Sequence, residues 1–167
     1  MTINKLLILV FSGPIALLLL LTVINFILKK LKPDSEEDFR LRTAYGIYFG
    51  GILVAGIVIQ VNVMAYVNEA ADIIQKTAAG SIFEMAKTAI LFIGLGIVWF
   101  ILSHVLTGIF TAVFSGIKRE PEEMLLGNTY YFVIKSLIFI GIAILMTPGF
   151  SLVLRWLMPN VPTAFIH

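Results

Sequence analysis

The chain has 167 residues, 59% of them hydrophobic and 13% charged, with a mean hydropathy of +1.00, whereas soluble domains hold roughly 45–50% apolar residues. Its net charge is only +2 and it contains no cysteine, which argues against a nucleic-acid-binding surface and excludes a disulfide framework, thiolate chemistry and any cysteine-based metal site. The composition is that of an integral membrane protein. Four apolar runs near the ~20 residues required by a hydrocarbon core of ~30 Å take up most of the length.

The first predicted span covers residues 6–28. Lys5 gives it a short positive lead, but the run is too long for a signal-peptide core and Lys29-Lys30 closes it like a stop-transfer signal, so it reads as a retained helix. Gly13-Pro14 should bend it, since proline removes one i→i−4 hydrogen bond. The second span starts at residue 43 and stays apolar to about 67, with helical character continuing through Asp72 and a turn expected over 78–81. The third runs from residue 84 or 85 to 115 without proline. The fourth covers 129–146, where Thr147-Pro148-Gly149 should end or kink it; residues 151–158, with Arg155 and Trp156 among aliphatics, then read as an interfacial segment.

Two charged loops between these spans read almost as copies. Lys32-Pro33-Asp34-Ser35-Glu36-Glu37 leads to Thr43-Ala44-Tyr45, and Lys118-Arg119-Glu120-Pro121-Glu122-Glu123 leads to Thr129-Tyr130-Tyr131. One shift of 86 positions maps Glu36 to Glu122, Glu37 to Glu123, Thr43 to Thr129 and Tyr45 to Tyr131. The expected fold is therefore all-α: one membrane domain over 1–167, built from two tandem helix-loop-helix repeats at about 5–75 and 84–158. Such repeats are related by a pseudo-twofold axis along the membrane normal. Lys29, Lys30, Lys32, Arg40, Arg42, Lys118 and Arg119 flank the paired loops, against Lys5, Lys76, Lys87 and Arg155 at the other end. The positive-inside rule then puts both loops in the cytoplasm and both termini on the periplasmic side.

Pro121-Glu122-Glu123, the following Gly127-Asn128 and the apolar stretch to Leu145 resemble the YjfL-like family of bacterial inner-membrane proteins of unknown function. Its members look like a tandem pair of two-helix units with a charged loop before a small-residue-rich helix. The first unit departs from the pattern, with Leu41 and Arg42 where Gly127 and Asn128 would repeat. The resemblance implies a four-helix protein of the bacterial inner membrane and carries over no reaction and no catalytic residue.

Ionisable groups inside a span cost ~2.5–3.5 kcal/mol on the insertion scale, so each needs an account. Lys135 sits six residues into span four and is expected to snorkel to the headgroups. His104 lies deep in span three and reads as a neutral, hydrogen-bonded interior residue, or alternatively as a titrating group in a wet cavity. Gln60 and Asn62 interrupt span two; amides there usually bond across helices, though Gln60, Asn62, His104 and Lys135 together would also make a thin polar pathway. Gly46-x-x-x-Gly50, Gly51-x-x-x-Ala55 and Gly108-x-x-x-Ala112-x-x-x-Gly116 are small-residue patterns that let helices approach closely, within the bundle or between subunits. Glu36, Glu37, Glu122 and Glu123 read as solvated loop carboxylates that could also meet a partner.

No HExxH, phosphate-binding loop, nucleophile elbow or Cys/His cluster is present. The expectation is no enzyme, no cofactor and no metal. The leading reading is a non-enzymatic membrane subunit that self-assembles or docks into a larger membrane complex. The alternative is a small oligomeric channel or carrier with a pathway past His104, Lys135 and Gln60. A membrane enzyme and a holin-like pore former fit less well.

Overall fold

A computed structural model of the chain describes residues 3–29, 31, 39–77, 81–116 and 118–159. Five helices form in chain order: α1 (Ile3–Leu28), α2 (Phe39–Thr77), α3 (Ile82–Ser115), α4 (Glu120–Leu125) and α5 (Thr129–Trp156), with no strand among the described residues. All but α4 are long and apolar enough to cross a membrane, and the fold is all-α, as the sequence implies. Glu36 and Glu37 lie outside the described residues, as does most of the expected turn, at 78–80.

Each end has a local cause. Ser81 Oγ accepts a hydrogen bond from the Glu84 N–H and caps α3, the role for which serine is preferred at an N-cap. Gly116 closes α3 at φ +76, a backbone region that costs glycine nothing. It was expected to extend the small-residue pattern of α3, but it lies beyond the helix and ends it. Asn128 Oδ1 accepts from the Tyr131 N–H and caps α5, directly after Gly127 at φ +62. That glycine-asparagine step makes α4 a separate short helix.

Both internal prolines are carried inside helices. Pro14 lies within α1 and Pro148 within α5, which continues unbroken to Trp156. The interfacial segment expected at 151–158 is thus largely the last two turns of α5. Three contacts hold those turns on the bundle: Phe150 stacks on Trp99 at 4.9 Å, Ser151 bonds Asn62, and Leu154 is fully buried. Proline removes one hydrogen bond, and neighbouring helices can offset the loss in a membrane helix.

The helices α2 and α5 run parallel and form the centre of the bundle. Gly51 lies against Ser136 near one end, and Asn62 exchanges hydrogen bonds with Ser151 further along at 3.2 and 3.3 Å. α1 and α3 run antiparallel to them, as Lys5–Asp72, Phe100–Phe139 and Trp99–Phe150 show. The start of α1, the end of α2, the start of α3 and the end of α5 therefore lie at one end of the bundle, the far end. The end of α1, the start of α2, the end of α3 and the start of α5 lie at the other, the loop end. A core of Leu20, Ile24, Tyr48, Ile52, Ile59, Phe92, Phe100, Phe132 and Phe139 fills the bundle, while Val10, Leu18, Val98, Val105, Leu137 and Leu145 point outward. Outward aliphatics all round the molecule are what a lipid solvent demands.

Candidate functional site

Several polar groups of the interior gather at the loop end, Lys135 and Ser136 among them. Lys135 of α5 is only 1% exposed. Its ammonium makes an ion pair with the Glu120 carboxylate at the start of α4 and stands over the Tyr48 ring of α2, 4.8 Å from its centroid. Cation and aromatic face attract each other most when water is excluded. Tyr48 in turn packs on Phe132, one turn before Ser136, whose hydroxyl donates to the Ile47 carbonyl at 3.4 Å. Lys135 was expected to reach the headgroups; it points towards the loop end, but a carboxylate meets it first.

α4 holds that carboxylate in place. Pro121 sits in its first turn, where a missing N–H is not needed, and Met124 is buried beneath it at 3% exposure. Glu123, read from the sequence as a solvated loop carboxylate, is instead turned inward to the loop itself. It accepts from the Asn128 amide and pairs with Lys118 at 3.2 Å. The Asn128 hydrogen bond, helped by Lys118, holds its carboxyl below the usual glutamate range against the opposing effect of desolvation. Glu122 meets Arg119 at 3.4 Å in a pair that stays largely exposed, so it remains available to solvent or a partner. Such exposed pairs contribute little stability.

Beneath residues 118–122 lies a cavity of about 560 Å³, walled by Ile27 and Leu31 on one side and His104 on another. His104 packs on Phe139, 5.5 Å between ring centroids, and lies within electrostatic reach of Lys135 and Glu120. Its Nδ1 is buried without a hydrogen-bond partner. The neighbouring hydroxyls of α3 do not supply one. The hydroxyls of Ser103, Thr107 and Thr111 each donate to the carbonyl one turn back in α3, at 2.9, 2.8 and 2.7 Å.

The residues of the expected pathway separate. His104 and Lys135 share the loop-end cluster. Asn62 is tied to Ser151 between α2 and α5, and Gln60 lies on the other side of α2 against Gly96 of α3. The cavity at His104 includes neither amide. The small residues divide as well. Gly51 and Ala55 are buried in helix contacts, with Gly56 under Leu20 and Gly96 under Val63, both missed by the sequence patterns. Gly46, Gly50 and Gly108 have no neighbouring atom within 4 Å of a Cβ position, and Ala112 is half-buried.

No group of three or more metal-ligating side chains occurs among the described residues. No family model, no curated protein and no solved structure matches the chain.

Proposed function

We propose that the chain is a non-enzymatic integral membrane subunit that self-assembles or docks into a larger membrane complex. The observation that carries this reading is the division of its small residues. Gly51, Gly56 and Gly96 are used up in contacts within the bundle, while Gly46 and Gly50 continue into an outward face of α2 with Val54, Ile57 and Val61. Gly108 and Ala112 lie on a comparable outward face of α3 with Val98, Ile101 and Val105. In lipid there is no hydrophobic force between helices, so close approach at small residues supplies the association energy.

The proposal includes a duplicated architecture. The parallel contacts of α2 with α5 join residues 84 to 89 positions apart, close to the 86-residue sequence shift, as expected if a twofold along the membrane normal relates the halves. The excess of cations at the loop end supports a bacterial inner-membrane orientation with periplasmic termini, in keeping with the YjfL-like resemblance. Because the chain has no cysteine, single cysteines at Gly46, Gly50 and Gly108 give a clean test. Disulfide-linked dimers, or adducts with another membrane protein, are expected at one or more of these positions and not at Leu145. No adduct at any of the three would remove the basis of the reading.

The cavity beside His104 favours a second reading, a channel or carrier. Proteoliposomes would then show ion flux that His104→Ala or Lys135→Ala abolishes. Unchanged flux in both variants would refute it.

A further inference from the structure

Lys135 is sealed inside the bundle, yet the carboxylate that neutralises it comes from a separately hinged piece of chain. Glu120 opens α4, and residues 118–126 lie between Gly116 at φ +76 and Gly127 at φ +62, the positive-φ glycines among the described residues. Backbone changes in a moving segment concentrate at a few such positions at the ends of elements. The Glu120–Lys135 pair and the buried Met124 fasten α4 to the bundle. The side-chain bonds of Glu123 go to Lys118 and Asn128, within the segment or at its hinge.

The Glu120 carboxylate has further polar groups close to it. The Tyr48 hydroxyl is fully buried, has no hydrogen-bond partner and lies within electrostatic reach of that carboxylate. His104 lies within the same reach, and both His104 and Glu120 line the cavity of about 560 Å³ at the loop end. Helices α5, α2 and α3 thus gather an ammonium, a phenol and an imidazole about one carboxylate. The cavity volume falls in the range of small-molecule sites, roughly 300–1,000 Å³, and Ile27 and Leu31 give it an apolar wall. Drawing Glu120 away leaves the ammonium buried and unpaired, which is strongly disfavoured unless another anion takes its place.

We propose that this cluster is a carboxylate-binding site in which Glu120 is a built-in stand-in, and that α4 swings out when an external carboxylate with an apolar body replaces it. The ligand's carboxylate then pairs with Lys135 beside Tyr48, and its hydrocarbon lies against Ile27 and Leu31. A carboxylate fits because these groups already hold one. The displaced Glu120 side chain, a third exposed to begin with, completes its hydration outside. One ion pair is exchanged for another, no covalent bond changes, and the uncovering of Met124 reports the exchange. A soluble carboxylate and a membrane-dissolved fatty acid offer the same chemistry. This binding step is separate from both self-assembly and ion flux.

The test uses the full chain in phosphatidylcholine nanodiscs with Met124→Cys as the reporter, the natural chain having no cysteine, and times its modification by a maleimide. Hexanoate added to the water and oleate added to the disc probe the two sources. The proposal expects at least one of them to speed modification saturably, by about fivefold, the low end of ordinary coupling between sites. Whichever acts identifies the source, and Lys135→Met should abolish the dependence. No effect of either carboxylate would overturn the proposal. So would an equal acceleration by chloride at the same ionic strength, which would be ordinary screening of an ion pair. A second measurement removes the stand-in. Glu120→Gln leaves Lys135 unpaired and should lower the Tm, and the active carboxylate should raise it again. The double variant Lys135→Met, Glu120→Gln should show no such rise. A Glu120→Gln protein that no concentration of either carboxylate stabilises, or an equal rise in the double variant, would refute the site.

Discussion

Lys135 shows how a costly residue is accommodated. Its ammonium is sealed from solvent and is met by the Glu120 carboxylate and the Tyr48 ring. Removing one member of a buried pair is costly, ~3–5 kcal/mol in typical cases. Glu120 keeps a third of its surface exposed, so the orphaned carboxylate is partly rehydrated. Lys135→Met is therefore expected to destabilise the bundle by about 3 kcal/mol, at the lower end of that range, in a denaturant titration from micelles. Adding Glu120→Gln should recover part of the loss. Equal and additive losses in the two single variants would mean that the pair carries no coupling. Lys135 was visible in the sequence as a cation inside a span. Its partner was not, because Glu120 reaches it only through the reversal at Gly127 and Asn128, and Glu120 looked like any loop carboxylate. The isolation of Gln60 from Asn62 was legible in principle, since residues two apart on a helix face different ways.

At the scale of the helices, the apolar runs determined nearly everything. Each expected span became a helix, and α3 ends at residue 115 as read from the sequence. The misjudged element was the end of α5. Pro148 is a strong local signal for a break, but Trp99, Asn62 and the surrounding core hold the turns beyond it, and those contacts come from segments far away in sequence. The small-residue patterns were also only half legible, because a spacing of four shows that two residues share a face without showing what that face meets. Gly50 and Gly51 separate these cases. A Cβ on Gly51 would lie 2.3 Å from Ser136 Cβ and 3.1 Å from its Cα, whereas one on Gly50 meets nothing. Gly51→Ala is expected to cost about 1–3 kcal/mol by forcing α2 from α5, and Gly50→Ala to leave the monomer's stability unchanged or raised. Thermal unfolding of the two variants in the same micelle checks this, and matching losses would contradict the α2–α5 contact.

For the whole molecule, the arrangement is asymmetric from end to end. The loop end holds the buried ion pair, the Tyr48 ring and the cavity beside His104. Towards the other end the centre of the bundle is closed by Phe100, Phe139, Ala143, Phe150 and Leu154. On the proposed reading, a cavity at one end backed by packed aromatics serves docking or binding rather than a continuous pore within a single chain. On the same reading, the outward small-residue faces of α2 and α3 are the places where further helices would be added. The most direct measurement is the mass of the protein extracted with its surrounding lipid into polymer-bounded native discs, without detergent. The account expects protein mass well above the 18.5 kDa of one chain, falling to a single chain when Gly50 and Gly108 are both changed to Leu. A single chain per disc in the unaltered protein, with no other protein present, would contradict it.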